Sequence, residues 1–176
     1  MRILTSKLSK VLFINLVLIF ALGVTTSIAQ QKIKVAGKHT LAYTTQNTIN
    51  VGDTEGHIIS LYEYEGTNVS TGKEKFMDGA QVFGLGFADI VMGNGPFQGY
   101  GKMSTNGDVI FWKEQGKTAT TLSPKGKPVD TFEGSFTFTK GTGKYENIQG
   151  SGTFKGKFIS RTIWIAEWEG EYFIKK

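Results

Sequence analysis

The chain has no cysteine among its 176 residues. Disulfide staples, thiol catalysis and thiolate metal sites are therefore excluded. Proline is scarce, with three residues, and after Gln30 no long stretch places apolar residues at helical spacing. A mainly helical domain is excluded on that ground. The only histidines are His39 and His57, and neither belongs to a His-x-His or His-Glu-x-x-His pattern, so no metal and no cofactor is expected. There is no P-loop either, because Gly141-Thr142-Gly143-Lys144 lacks the Gly-Lys-Ser/Thr ending that carries phosphate and Mg²⁺.

Acidic residues are absent from the first 29 positions, which hold Arg2, Lys7 and Lys10 and then an apolar run from Val11 to Val24. Small residues follow at Ser27 and Ala29. Basic, apolar, then small-x-small is the order of a cleavable secretory leader, and the run is shorter than the ~20 residues of a spanning helix. The expectation is cleavage near Ala29, a secreted or periplasmic product, and no stable membrane anchor afterwards. The organisation read from this is a leader over 1–29 and one domain over 30–176. Removing the leader takes Lys plus Arg from 20 to 17 against 15 acids, so the net charge falls from +5 to +2. The remaining lysines are scattered, and no nucleic-acid partner is expected.

What the sequence does have is glycine, 23 residues of it, interleaved with β-branched and aromatic side chains in short runs. Such runs predict strands near Lys32–Thr45, Gly56–Glu65, Ala80–Met92, Phe97–Thr105, Asp108–Glu114, Thr131–Thr139, Ser151–Ile159 and Arg161–Ile174. Phe132, Gly134, Phe136 and Phe138 alternate with Glu133, Ser135, Thr137 and Thr139, the pattern of a half-buried antiparallel strand. Asn106-Gly107 predicts a tight hairpin. Lys113–Pro128, rich in Lys, Thr, Ser, Gly and Pro, reads as a strand end followed by a long exposed loop. Eight strands in one domain either close or leave sticky edges. The fold class is therefore all-β, a single antiparallel eight-stranded barrel, with a two-sheet sandwich as the alternative.

The most distinctive stretch is Gly141-Thr142-Gly143-Lys144-Tyr145-Glu146-Asn147-Ile148, continuing through Gly150, Gly152, Thr153 and Phe154. It reads as a strand end, one helical turn, and a new strand, with Tyr145 and Ile148 plugging a barrel end. Over residues 131–158 the pattern resembles the allene oxide cyclase and dirigent-like barrels, and especially secreted bacterial proteins that share it. The resemblance implies an eight-stranded antiparallel barrel. Its matching glycines and Tyr145 are scaffold positions, and it carries over no catalytic residue.

The site candidates come from residue types. Trp164, Ala166, Trp168, Gly170 and Tyr172 share one face of the last strand, opposite Glu167, Glu169 and Glu171. An aromatic interior lined by Tyr62, Trp112, Phe136, Trp164 and Trp168 is expected to hold a small apolar molecule. His57 and Glu63 are the candidate polar groups of that pocket. A second reading is an isomerase or cyclase acting by confinement, as the resemblance implies, and a third is a structural or interaction protein of the cell envelope. Asn68-Val69-Ser70 fits a glycosylation acceptor and is read as chance.

Overall fold

Period-two alternation runs through almost every segment from Ile33 to Ile174, sorting side chains into an inner apolar set and an outer polar one. A computed structural model describes residues 31–176; the expected leader over 1–29 lies outside the described residues. The strands are β1 (Ile33–Asn50), β2 (His57–Ser70), β3 (Gln81–Val91), β4 (Gly95–Thr105), β5 (Asp108–Leu122), β6 (Pro128–Gly141), β7 (Ile148–Phe158) and β8 (Ile163–Ile174). A short 3₁₀ turn, Gly143–Tyr145, joins β6 to β7. Each strand pairs antiparallel with the next, and β8 pairs with β1, so the sheet is a closed barrel with no free edge.

Expected and observed strands agree in number and order, with corrections at the ends. β1 continues to Asn50 and β2 to Ser70. The loop expected over Lys113–Pro128 is mostly strand: β5 runs to Leu122, and only residues 123–127 turn. Thr118, Thr120 and Thr121 are β-branched and fit a pleated wall, which outweighs their polar, loop-like composition. The Asn106-Gly107 hairpin is present, with φ of 51° and 85°, the positive values a two-residue turn demands.

Closure around aromatic rings requires room on the facing strands, and glycine supplies it. A Cβ on Gly37 would lie 2.5 Å from the Trp168 ring, one on Gly84 2.1 Å from Tyr64, and one on Gly101 2.2 Å from Trp112. Gly152 stands in the same way beneath Phe136, and Gly156 beneath Phe132. Inward glycines therefore alternate with inward rings, and each ring lies over a neighbouring strand's backbone.

The outer wall of β5, β6, β7, β8 and β1 carries a cross-strand charge row. Lys117 ion-pairs with Glu133 at 3.0 Å. Glu133 stands opposite Lys155, Lys155 opposite Glu167, and Glu167 opposite Lys38. The three acids of β8 thus face outward; lysines offset Glu167, and Glu171 bonds Lys32. Lys155→Glu would set three carboxylates side by side, and we expect a loss of roughly 1 kcal/mol, against a smaller loss for Lys155→Met. Urea midpoints measure this, and the gap between the two variants should shrink in 1 M salt because screening shortens to about 3 Å.

Candidate functional site

The two barrel ends differ. At one end the β2–β3 connection, residues 71–80, folds under the barrel and inserts Phe76 and Met77, both buried. Tyr145 and Ile148 join them, with Phe76 packed edge-on to Tyr145 at 5.2 Å. The plug is tied down by Asn68, which is fully buried on β2. Its Nδ2 donates to the carbonyls of Met77 (2.7 Å) and Phe76 (3.3 Å), while its Oδ1 accepts from Trp168 Nε1 at 3.0 Å. An asparagine so enclosed presents no acceptor for a glycan.

Above this plug lies a cavity of about 360 Å³. Its wall includes Leu41, Tyr43, Tyr62, Tyr64, Trp112, Phe132, Phe136, Phe154, Phe158, Trp164 and Trp168. The rings touch in a chain: Tyr43 stands 4.6 Å from Trp164 and 5.4 Å from Tyr62, and Tyr64 stands 5.5 Å from Trp164. Gln46, Ile58, Ile90, Thr118, Asp130, Ser160 and Arg161 line the opposite, unplugged end. A depression of about 1250 Å³ on the outer wall is larger. It is open and lies over the charge row of Lys38, Lys117, Glu133, Lys155 and Glu167, so it offers no dry surface.

All five aromatic candidates, Tyr62, Trp112, Phe136, Trp164 and Trp168, line the cavity. The two polar candidates do not. Glu63 shares the parity of Leu61 and Glu65 and is exposed on the outer face of β2. His57 begins β2 on that same face, where Nδ1 meets Asp53 at 2.5 Å and Nε2 meets Asp89 at 2.8 Å. Donating to those two carboxylates raises its pKa above the ordinary value. This cluster links the β1–β2 turn to β3 and stands outside the cavity. Compared with known proteins, the chain matches no family model and no curated protein.

Glu114 and His39, not picked as site residues from sequence, also face the interior. Glu114, on the inner side of β5, accepts from Trp112 Nε1 (2.8 Å) and Tyr64 Oη (3.0 Å). Desolvation pushes its pKa up, and those two hydrogen bonds pull the other way. Its accessible surface is that of a half-buried residue because the carboxyl fronts the cavity. Its signal in the sequence is spacing: it follows Ile110 and Trp112 at period two. His39 lies between Trp112 and Trp168, ring centroids at 6.2 and 5.8 Å, and its buried Nε2 has no hydrogen-bond partner. Burial lowers its pKa to about 4, against a hydrogen bond to Asn68 that raises it, so the ring is neutral at pH 7. Burial also raises the phenols of Tyr43, to about 12, and of Tyr62. At neutral pH the tyrosines offer neutral hydroxyls.

Proposed function

We propose that this barrel is a container for a small apolar molecule, working outside the cytoplasm after loss of its leader. The observation that carries the reading is the cavity of about 360 Å³, plugged at one end and walled by aromatic rings. Its size falls at the lower end of the ~300–1,000 Å³ of ligand pockets, and its lining is the apolar majority with few polar groups that such pockets use. The resemblance of residues 131–158 to the allene oxide cyclase and dirigent-like barrels is consistent with an interior that confines a small molecule. It names no reacting group, so binding without covalent chemistry is the function assigned.

The test uses the protein's own fluorescence. Its three tryptophans, Trp112, Trp164 and Trp168, all line the cavity, so the whole indole emission reports on it. Titration with a panel of apolar molecules should give a saturable shift or quench. Ala88, a buried lining residue on β3, gives the control. Ala88→Leu should weaken binding about tenfold by occupying ligand space, an affinity cost of ~1.4 kcal/mol. No response across the panel would overturn the container reading.

A further inference from the structure

Glu114 is a buried carboxyl whose two partners, Tyr64 Oη and Trp112 Nε1, are both neutral donors. Among the described residues, none of the ion pairs involves it. Strand alternation sends its neighbours Lys113 and Lys117 outward. Among the described residues, the one cation on the cavity wall is Arg161, in the β7–β8 turn at the unplugged end. A carboxylate accepts at about four lone-pair sites, and two of these are used here. Buried charges are ordinarily paired, so this site lacks its counter-ion. Around the carboxyl stand electron-rich faces: Tyr62 lies 6.4 Å from Tyr64, which packs on Trp164, which packs on Tyr43. Rings of this kind attract a cation through their quadrupole.

We propose that the barrel's ligand is a lipophilic amine, with its apolar body among the rings and its protonated nitrogen paired with the Glu114 carboxylate. The inference rests on the container reading and adds the head group. A fatty or aromatic acid would bring a second carboxyl against Glu114. A neutral alcohol or ketone would leave the carboxyl without its ion. An ammonium supplies the positive charge, donors for the free lone pairs, and a cation for the Tyr and Trp faces.

The experiment is a titration of the full domain at neutral pH with octylamine, 1-octanol and octanoic acid, read by tryptophan emission and by calorimetry. The three probes share one chain and differ in head group. Octylamine should bind about tenfold or more tightly than octanol, a step in keeping with a desolvated cation–carboxylate contact, and octanoate most weakly. Glu114→Gln keeps the shape and both neighbouring donors. It should erase the amine advantage while octanol affinity stays within about twofold. Calorimetry repeated at lower pH gives a readout on the unaltered protein: as Glu114 takes up its proton, octylamine should lose its advantage and octanol binding should not change. Octanol binding as well as octylamine, or an amine preference that survives Glu114→Gln in folded protein, overturns the amine assignment and leaves the container intact. Failure of all three probes overturns both.

Discussion

Replacing Gly101 with valine should destabilise the barrel by about 3 kcal/mol, the upper part of the range for forcing extra methyls into a packed interior. Gly101 faces inward on β4, opposite Trp112 on β5. A Cβ there would lie 2.2 Å from Cζ2 and 2.4 Å from Cε2 of the indole. These atoms lie within a rigid double ring, so no terminal rotation relieves the clash. The ring is also held by its hydrogen bond to Glu114, and it is buried. The valine must therefore push Trp112 inward, breaking the bond to Glu114 and closing part of the cavity. For a domain of this size the melting midpoint should fall by about 10 °C. Gln98→Ala, on the exposed face of the same strand, should stay within about 0.5 kcal/mol. Chemical denaturation of the two variants measures the contrast, and near-ultraviolet dichroism follows the displaced indole. A Gly101→Val protein as stable as its parent would mean that the interior tolerates added volume, contrary to the ring-over-glycine packing described above.

That packing also shows which parts of the fold were legible in the sequence. Strand number, order and faces were readable because the period-two signal is local. Phe132, Phe136 and Phe138 sit between polar residues, and the same alternation places Trp164, Ala166 and Trp168 together. Which ring covers which glycine was not readable. Gly101 meets Trp112 through the β4–β5 register, and Gly37 meets Trp168 through the β1–β8 closure, two pairings set by the whole barrel. The bulges at Thr44 in β1 and Thr139 in β6 were likewise silent. Each keeps an inward position inward past the irregularity: Gln46 in the first case, Gly141 in the second.

The candidate site divides along similar lines. Its five aromatics were found because an aromatic residue flanked by polar ones has one sensible face. Its polar groups were missed because a carboxylate or histidine is ordinarily assigned to solvent. Parity alone was the better guide. Glu63 has the parity of Leu61 and Glu65, outward, whereas Glu114 has that of Ile110 and Trp112, inward. Asn68, whose tripeptide match is read as chance in the sequence, proves to be the tie that holds the plug. Only the folded β2–β3 connection brings the Phe76 and Met77 carbonyls within its reach.

The remaining expectation concerns acid. His39 has a folded pKa of about 4 against an ordinary 6.5, because desolvation disfavours its charged form. Below pH 6.5 the unfolded chain takes up a proton that the folded chain refuses until about pH 4. His39 therefore costs stability as pH falls through that window, in total about 2 kcal/mol between pH 7 and 4.5. Two groups act in the opposite direction. Glu114 and His57 both have raised folded pKa values, so each favours the folded state more as pH falls. The net acid response of the wild type mixes these signs, and a variant isolates the one of interest. Among the described residues, no ion pair involves His39; it faces Asn68 on β2, Trp112 on β5 and Trp168 on β8, with Glu114 reached through the Trp112 indole. His39→Gln keeps a polar side chain beside Asn68 and does not titrate. Denaturant unfolding near pH 7 and near pH 4.5 should show the wild type losing about 2 kcal/mol relative to the variant. Parallel losses in both proteins would place the acid sensitivity elsewhere and would mean that the His39 ring reaches water. An upward step in His39 pKa on adding 1-octanol would contradict the proposed placement, because an apolar body above the ring deepens its desolvation.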